Sequence, residues 1–204
     1  AYRLAVARTM MQDEMDATVT RNFERTLSRL RDAGATIVEI DLAELGELPA
    51  LMAHGAFAGA ESFAFHRKAL ERVREQYDQR VVTRIQRGAA MSAADYIDLQ
   101  RSRADWISRV TQGLQDFDAV LSPTVPIVAP SIASVAPGAS RDEEFFRNNA
   151  LLLRNTNAVN MLDGCALSLP CQQRDDLPVG LMVWHGALRD DAVLAIGIEI
   201  ERLL

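Results

Sequence analysis

Two polar side chains stand at the entrance to an apolar segment near the carboxyl end of the chain. Asn160 and Asp163 occur in "RNTNAVNMLDGCALSLPCQ", in the turn that leads into the strand-like segment "CALSLP". An amide and a carboxylate at the start of a buried strand can satisfy backbone groups of the turn or can reach a ligand. The residues alone leave both interpretations open: a local turn cap, or a binding site for a small molecule.

No nucleophile, phosphate-binding or metal-binding motif is present elsewhere in the sequence. It contains no G-x-S-x-G elbow, no Walker loop and no G-x-G-x-x-G. The three histidines, His54, His66 and His185, are far apart and lack a ligand spacing such as H-E-x-x-H. His66 precedes "RKALER", which is typical of a solvated helix surface. We therefore expect neither a metal nor a cofactor.

Two further pairs of reactive or charged residues favour structural roles. Asp190 and Asp191 stand where a helix is predicted to begin, which favours compensation of the helix dipole. Cys165 and Cys171 are the two cysteines of the chain, and their spacing matches no zinc motif. We expect both to be reduced, buried, structural thiols.

Composition and charge exclude several classes of partner. The chain has 204 residues, 49% of them hydrophobic and 25% charged, which is ordinary for a globular protein with a full core. A net charge of −6 argues against nucleic acid and anionic membranes as partners. The opening "AYRLAVARTM" lacks the apolar region of a signal peptide, and no apolar run approaches the ~20 residues of a membrane span. We therefore expect a cytoplasmic protein.

The beginning of the chain has a strand–helix–strand pattern over residues 1–42. "RLAVA" is a short apolar strand, and "TIVEIDL" is a second strand rich in β-branched residues. Between them, apolar residues recur at the three- and four-residue spacing of a helix face, and Gly34 is placed to end that helix. This βαβ order predicts a parallel sheet.

Helices are predicted for most of residues 45–116. One long helical stretch covers 50–77, and another covers 79–87. A third helix starts at Ser92, whose hydroxyl can cap it, with Asp95 three residues later in a pattern that resembles a capping box.

Strands return in residues 117–204. "FDAVLSPTVP" is a buried strand ended by proline, and the proline-rich loop after it is too rich in breakers for regular structure. A short helix over 143–156 leads to the strands "CALSLP" and "VGLMVW", and an amphipathic helix closes the chain. We expect an α/β fold with a mixed, largely parallel sheet covered by helices. The strands "RLAVA", "FDAVLSP", "CALSLP" and "VGLMVW" are apolar on both sides, which favours central positions.

Six segments in a fixed order resemble the C-terminal half of the amidase signature family. "FDAVLSPTVPIVAP", "RNTNAVNMLDGCALSLPCQ" and "LPVGLMVWHGALRDDAVLAIGIEIE" match its strand ending in Pro-Thr, its Asn-containing turn and its closing strand and helix. "RLAV", "IVEID" and "VTRIQRGAAMSAADYIDLQRSR" resemble earlier parts of the same half. The resemblance covers residues 1–204, which implies that the whole chain is the C-terminal portion of an amidase domain.

The resemblance also implies what this chain lacks. Enzymes of the family hydrolyse carboxamides with a Ser-cisSer-Lys triad held in a GGSSGGS-like segment and a later GGSIR-like stretch, and neither segment occurs here. The chain's one lysine, Lys68, lies in the charged helical segment "FHRKALER", so we do not assign it to the triad. We assign no catalytic residue, and we expect a chain that is cut off just after the catalytic signature and is inactive alone.

Four residues are candidates for substrate binding. Asn160 and Asp163 would stand at the end of the sheet that faces the pocket, and Thr124 would stand where the family places a pocket-edge loop. Arg84 matches a position that in some relatives binds a substrate carboxylate, as a bidentate donor can. For each residue a structural role is the alternative: a turn cap, turn chemistry or a surface arginine. The form "NMLDGCA" is similar to "N-L-L-D-L-C-A" of allophanate hydrolases, which implies a ureide-like or small polar amide substrate.

The sequence therefore predicts an amidase-type hydrolase whose triad lies in an N-terminal half that this chain does not include. This portion would supply scaffold and one wall of the substrate pocket. Its expected partners are a small amide substrate, the N-terminal signature half and, through exposed strands or apolar faces, a second copy of itself. The alternative is a non-catalytic α/β binding or partner module derived from the same fold.

Overall fold

The computed structural model describes residues 2–53 and 56–204, and the chain divides into two compact units. The first unit comprises Ala1–Gly46 and Arg109–Leu204, and it contains the sheet. The second unit comprises Glu47–Ser108 and is helical where it is described. His54, one of the three histidines, lies outside the described residues.

The first unit is built on a five-stranded sheet with the strand order β2-β1-β3-β5-β4. The strands are β1 Arg3–Ala7, β2 Thr36–Ile40, β3 Ala119–Pro123, β4 Cys165–Pro170 and β5 Gly180–His185. β1 pairs in parallel with β2 and with β3, whereas β5 is antiparallel to both β3 and β4. Four strands therefore run in one direction and β5 runs in the other, which confirms the predicted mixed, largely parallel sheet.

Helices account for most of the remaining described residues. They are α1 Ala17–Asp32, α2 Leu48–Leu51, α3 Ala56–Val73, α4 Gln79–Arg87, α5 Ala93–Leu114, α6 Ile132–Val135, α7 Asp142–Met161 and α8 Asp190–Glu201. Short 3-10 turns occupy Ala43–Glu47, Arg74–Gln76, Gly88–Ala90 and Ala139–Arg141.

The helix α1 is held at both ends by local hydrogen bonds. The carboxylate of Asp16 accepts a hydrogen bond from the backbone N–H of Val19 at 2.8 Å, which caps the amino end. At the other end Gly34 adopts a φ of +94°, and the N–H of Ala35 donates to the carbonyl of Leu30 at 3.0 Å. Gly34 thus ends the helix as the sequence predicts, since a positive φ is easy only for glycine.

One face of the sheet is covered by α1 and α8. From the three central strands, the buried side chains on this face are Leu4, Val6, Ala119, Leu121, Leu181 and Val183. Those of the two helices are Val19, Phe23, Leu27, Leu30, Val193, Ile196 and Ile200. Because a one-residue slip would turn every strand side chain to the other face, this apolar cluster fixes the register of the sheet.

β4 is an edge strand in this chain, whereas its sequence predicts a central one. One side of β4 pairs with β5, and its other side has no partner among the described residues. Cys165, Leu167 and Leu169 turn toward the apolar cluster, whereas Ala166, Ser168 and Pro170 are exposed. A half-exposed strand usually alternates apolar and polar residues. In "CALSLP" two of the three exposed positions hold alanine and proline, which read as apolar, so the sequence does not show this alternation.

The predicted helix boundaries also need correction. The helix predicted over 143–156 runs from Asp142 to Met161, so Asn160 lies in its last turn. The proline-rich loop contains the short helix α6, which Ser131 caps by accepting a hydrogen bond from the N–H of Ser134 at 3.2 Å. The long stretch predicted over 50–77 is divided between α2, α3 and a 3-10 turn.

The second unit packs α3 closely against the end of α4. A Cβ atom built on Gly88 would overlap the carbonyl group of Gly59 and approach the nitrogen of Ala60 to 2.8 Å, so only glycine fits there. Leu70, Val82 and Ile85 form a small buried cluster in this unit. Ser92 and Asp95 form the predicted capping box: the N–H of Asp95 donates to the Ser92 hydroxyl at 3.1 Å, and the N–H of Ser92 donates to the Asp95 carboxylate at 2.9 Å.

Within residues 2–53 and 56–204, no helix has the length and apolar character needed to cross a lipid bilayer.

Candidate functional site

The carboxyl edge of the sheet is the candidate functional site of the first unit. β1, β2, β3 and β4 run in the same direction, so their carboxyl ends meet at one edge, where β5 begins. In open α/β sheets, ligands bind in the crevice outside the carboxyl ends of the strands. Polar groups from several elements gather along this edge.

Two hydroxyl groups meet at this edge beside a glycine. Thr124 follows the last residue of β3, and its Oγ1 lies 2.6 Å from the Oγ of Ser168 in β4. The backbone N–H of Thr124 donates to the carbonyl of Gly180, the first residue of β5, at 2.8 Å. A Cβ atom on Gly180 would come within 2.5 Å of the Ser168 hydroxyl and 2.6 Å of the Thr124 hydroxyl. The pair can form only because residue 180 has no side chain.

A buried asparagine holds the end of β3. The side-chain amide of Asn155, on α7, is completely buried and donates to the carbonyl of Pro123 at 2.8 Å. The same Nδ2 donates to the carbonyl of Met11 at 2.9 Å. Asn155 therefore connects the loop after β1 to the end of β3, directly beside Thr124.

The preceding residue extends this connection. The guanidinium of Arg154 donates to the carbonyl of Asp13 at 2.7 Å and to the Oδ1 of Asn155 at 3.1 Å. Burial lowers the pKa of the Arg154 guanidinium, while the carboxylates of Asp13 and Glu14 act in the opposite direction. Glu14 adopts a φ of +51°, which is uncommon for a residue with a side chain. This loop is therefore held in an unusual conformation by contacts with α7.

The proline-rich loop is attached to the same edge by Asp16. Its Oδ2 accepts a hydrogen bond from the N–H of Val128 at 2.6 Å, while its own N–H donates to the carbonyl of Pro126 at 2.9 Å. The residue that caps α1 therefore also fixes the loop that follows Thr124.

The turn between β4 and β5 is fixed to α1 at this edge. Asn22 is fully buried; its Nδ2 donates to the Asp176 carboxylate at 2.7 Å, and its Oδ1 accepts from the N–H of Gln173 at 2.9 Å. Arg21 forms a 2.7 Å ion pair with the same carboxylate. Hydrogen bonds from Asn22 and Arg21 hold the pKa of Asp176 below its usual value. Two connecting segments of the edge are thus anchored on one helix.

Asn160 and Asp163 lie at the opposite edge from Thr124. They precede the first residue of β4, at its amino end, whereas Thr124 follows the carboxyl end of β3. β4 has six residues, so at ~3.3 Å per residue the two edges are about 17 Å apart. The structure therefore does not bring these three predicted site residues together.

The turn after α7 is a regular helix C-terminus. The N–H of Asp163 donates to the carbonyl of Asn160 at 3.2 Å, and the N–H of Gly164 donates to that of Val159 at 3.0 Å, which is the Schellman arrangement. Asp163 has a φ of +59°, a left-handed conformation that Asp and Asn tolerate better than most residues. This accounts for polar residues at the entrance to "CALSLP". Whether Asn160 or Asp163 also contacts a ligand stays a prediction.

His185, at the end of β5, is fixed as a neutral ring at the amino edge of the sheet. The N–H of Gly186 donates to its Nδ1 at 2.8 Å, which assigns the ring proton to Nε2, and Nε2 lies 3.3 Å from the carbonyl of Phe117. Burial, followed by the nearby cation of Arg189, lowers the pKa of His185 from its usual value. No sequence pattern around His185 indicates that this histidine is buried and hydrogen-bonded.

Both cysteines are unpaired thiols. Cys171 is buried and Cys165 is half-buried, where its Sγ lies 3.5 Å from the carbonyl of Gly186. Burial raises the pKa of both thiols. A raised pKa leaves little reactive thiolate, so both residues fit structural roles.

Arg84 belongs to the second unit. It is an exposed residue of α4 and lines a cavity of about 320 Å³ between α3 and α4, together with Ser62 and Arg87. Two guanidinium groups beside one hydroxyl provide donors suited to a carboxylate. Its role in substrate binding stays a prediction.

Lys68 and the possible metal ligands complete the search for reactive groups in the described part of the chain. Lys68 is exposed on α3, in the second unit. Residues 2–53 and 56–204 contain no cluster of three or more His, Cys, Asp or Glu side chains suited to a metal ion.

Sequence reasoning missed Ser168, Asn155 and Arg154. Ser168 was hidden in an apolar segment, although its alternation with leucines on β4 could have marked it as a solvent-side residue. Asn155 and Arg154 follow one another in "LLLRNTN", where polar residues interrupt an apolar helix. Such an interruption is a usable signal of buried hydrogen bonding.

Comparison with known proteins agrees with this architecture. The sequence profile of the family described as Amidase matches residues 1–194. The chain belongs to the amidase family.

Curated relatives match most of the chain at low identity. A 2-amino-5-chloromuconic acid deaminase of Comamonas testosteroni is 26% identical over 207 residues, covering 99% of this chain and 43% of the relative. A urea amidolyase of Saccharomyces cerevisiae is 29% identical over 177 residues, covering 85% of this chain and 9% of the relative. The chain thus spans less than half the length of these relatives.

Solved structures share the fold. Kluyveromyces lactis allophanate hydrolase superposes with a TM-score of 0.84 and 25% identity, covering 99% of this chain and 32% of that protein. A 6-aminohexanoate cyclic dimer hydrolase complexed with substrate superposes with a TM-score of 0.83 at 15% identity, covering 100% and 45%. The second likeness concerns the fold alone.

Proposed function

We propose that this chain is the C-terminal portion of an amidase-type hydrolase that cleaves the C–N bond of a carboxamide other than a peptide. The observation that carries the proposal is the coverage of the relatives: the match takes in 99% of this chain but only 43% of the deaminase. The match extends over nearly the whole of this chain but over less than half of the relative. This is the coverage expected if the chain is one portion of a larger enzyme.

In this proposal the Ser-cisSer-Lys triad lies in an N-terminal portion that precedes these residues. A serine becomes a nucleophile only when a neighbouring base takes its proton, and a lysine in that role must lie within hydrogen-bond reach. Lys68 is exposed on α3, and the sequence has no Gly/Ser-rich segment. We therefore assign no catalytic residue here and expect the 204-residue chain alone to be inactive.

The contribution of this portion is a rigid wall at the carboxyl edge of the sheet. Thr124 would present its hydroxyl to the substrate, while Asn155 and Asp16 would hold the adjoining backbone in place. This arrangement is supported by their hydrogen bonds to the carbonyl of Pro123 and the N–H of Val128, at 2.8 Å and 2.6 Å. Groups held by such bonds lose little freedom on binding, which favours affinity.

Arg84, Asn160 and Asp163 remain secondary candidates in the proposal. Arg84 would suit a substrate that carries a carboxylate, since it lines a cavity with a second arginine. Asn160 and Asp163 would contact substrate only if the pocket reached the amino edge of β4. We expect their main role to be structural, namely to terminate α7.

A ureide-like or small polar amide is the substrate class that we propose to test first. The segment "NMLDGCA" is similar to a form found in allophanate hydrolases, and the allophanate hydrolase of Kluyveromyces lactis superposes with a TM-score of 0.84. Both observations concern the scaffold and not the groups that contact the substrate. The assay must therefore include simple amides as well as ureides.

The proposed partners follow from the exposed side of β4. Unpaired strand edges and apolar patches invite association, and Leu194 and Ile198 on α8 are each about half exposed, at 54% and 52%. We propose that the N-terminal portion of the same protein covers this region, and that the chain alone self-associates through it.

A hydrolysis assay on the product of the complete gene tests the proposal. Allophanate, urea derivatives and simple primary amides would be incubated with that product and with the 204-residue chain, with ammonia release as the readout. We expect turnover only by the complete product, provided that its coding sequence upstream of Ala1 contains a GGSSGGS-like segment. If no such segment exists and no amide is hydrolysed, the non-catalytic binding module is the correct alternative. Turnover by the chain alone that Lys68→Ala abolishes would contradict the proposal.

A further inference from the structure

Thr124 and Ser168 form a hydroxyl pair whose hydrogen-bonding capacity is only partly used. Their oxygens lie 2.6 Å apart, a short O–H···O hydrogen bond. After one hydroxyl has donated to the other, the accepting hydroxyl still carries its own proton. In the part of the chain that the structure describes, neither oxygen has a second hydrogen-bond partner. The pair therefore offers one donor and several acceptor lone pairs to a ligand.

Three strands hold this pair in position. The N–H of Thr124 donates to the carbonyl of Gly180 at 2.8 Å, so the end of β3 is tied to the start of β5. Ser168 lies in β4 directly opposite Met182 of β5. Because the backbone on both sides is fixed by the sheet, little freedom is lost when the hydroxyls bind a ligand.

The surroundings leave the pair accessible along β4, whose residues on this face are exposed. The residues of β5 on the same face, Met182 and Trp184, are buried. Gly180 has no side chain, and its neighbours across β4 on this face are Ser168 and Pro170, which are exposed. Thr124 is half-buried. A small planar group could therefore approach both hydroxyls from the carboxyl edge.

We propose that the Thr124–Ser168 pair binds the amide group of the substrate and distinguishes amides from esters. The remaining hydroxyl proton is donated to the amide oxygen, and a hydroxyl lone pair accepts the amide N–H. An ester of the same shape keeps the carbonyl oxygen but has no N–H to donate, so it loses one of these two hydrogen bonds. A site built to receive a donor discriminates against the analogue that lacks it. This inference rests on the amidase-type function proposed above and specifies the chemical group that this edge recognises.

Ligand-observed NMR tests the inference without requiring turnover. Saturation transfer from the 204-residue chain to propionamide and to methyl propionate gives a dissociation constant for each, and it works even for a self-associated protein. We expect propionamide to bind wild type and Thr124→Ser similarly. Thr124→Val, which keeps the shape and removes the hydroxyl, should weaken propionamide binding by about fivefold, the size of one neutral hydrogen bond.

The selectivity ratio separates a binding role from a structural one. In wild type the ester should bind more weakly than the amide, and in Thr124→Val the ratio of the two dissociation constants should approach one. Ser168 is exposed on the edge strand β4, so Ser168→Ala should fold, and it provides the same test if Thr124→Val does not fold. Equal dissociation constants in wild type, Thr124→Val and Ser168→Ala would overturn the inference, as would an unchanged ratio. A gene product that binds propionamide in this way but hydrolyses no amide would refute the proposed function only.

Discussion

The side-chain amide of Asn155 donates a hydrogen bond of 2.8 Å to the carbonyl oxygen of Pro123, and both groups are buried. The same nitrogen serves the carbonyl of Met11 at 2.9 Å. One side chain on α7 thus satisfies two backbone acceptors from separate segments. The geometry of the carboxyl edge therefore depends on a residue that is outside the sheet.

Replacing Asn155 should destabilise the protein strongly. Asn155→Ala leaves the buried carbonyl of Pro123 without this donor, and the carbonyl of Met11 keeps only the longer hydrogen bond from Arg154 at 3.4 Å. We expect the free energy of unfolding to fall by about 2–4 kcal/mol. Urea unfolding at one fixed protein concentration measures this change. Asn157→Ala, on the same helix, is the matched control and should cost less than about 1 kcal/mol. Equal losses in the two variants would contradict the role given to Asn155.

Because Gly88 lies so close to Gly59, we predict that residue 88 of the second unit cannot carry a side chain without a loss of stability. In Gly88→Ala the new methyl group would overlap the Gly59 carbonyl, so α3 and α4 must separate. We expect a loss of about 1–3 kcal/mol, seen as a lower thermal midpoint and faster hydrogen exchange in α3 and α4. Gly46→Ala has no atom within 4 Å of the added carbon and serves as the control. Unchanged exchange in Gly88→Ala would show that the helices lie further apart.

The neutral His185 predicts a pH dependence of stability. Its pKa in the folded protein is lowered, so between that value and the unfolded pKa of about 6.5 the unfolded state binds more protons. The free energy of unfolding should therefore fall as the pH decreases below about 6.5. His185→Gln should reduce this slope, and NMR titration of the ring should give a pKa below the unfolded value. A raised ring pKa would reverse the sign and refute this prediction.

The positive φ of Asp163 allows its structural and ligand roles to be separated. Asp163→Gly suits a φ of +59° and should keep the thermal midpoint, whereas Asp163→Val should lower the stability by about 1–2 kcal/mol. We expect kcat/KM of the complete enzyme to be unchanged in Asp163→Gly, because this variant removes the carboxylate but keeps the turn. A loss of kcat/KM at unchanged stability would instead establish a substrate contact.

The exposed edge of β4 predicts self-association of the isolated chain. At micromolar concentration, sedimentation should show species larger than a monomer, because the outer side of β4 has no partner among the described residues. Ala166→Lys places a charge on this edge and should shift the distribution toward monomer, whereas Ala150→Lys on the exposed side of α7 should not. A single monodisperse monomer with cooperative thermal unfolding would show that this portion is an autonomous domain.

Local features were predictable from the sequence, and features set by distant pairing were not. Gly34 and the Ser92–Asp95 cap depend on neighbours within a few residues, so composition and spacing reveal them. The end of α7 was misplaced because its terminating residue is Asp163 rather than a glycine. The sequence thus predicts the end of a helix best where the residue that ends it is of the usual type, such as glycine.

The candidate site was only partly predictable for the same reason. Thr124 was identified from its place after a strand that ends in proline, but Ser168, which is 44 residues away, meets it only because β5 lies between their strands. No local pattern encodes the order of strands in a sheet. The edge to which a turn belongs likewise depends on strand direction, so the sequence does not show that Asn160 and Thr124 lie at opposite edges.

The position of β5 affects how the sheet folds while the protein is being synthesised on the ribosome. β5 is the last of these five strands in chain order, yet it lies between β3 and β4 and supplies the sole partner strand of β4 among the described residues. The strands β2, β1 and β3 can pair early, whereas β4 lacks its partner from this chain until residues 180–185 have left the exit tunnel. At the usual ~5–20 residues per second this delay is brief. A stalled or truncated nascent chain that ends before Gly180 would nevertheless expose to chaperones and proteases the side of "CALSLP" that pairs with β5.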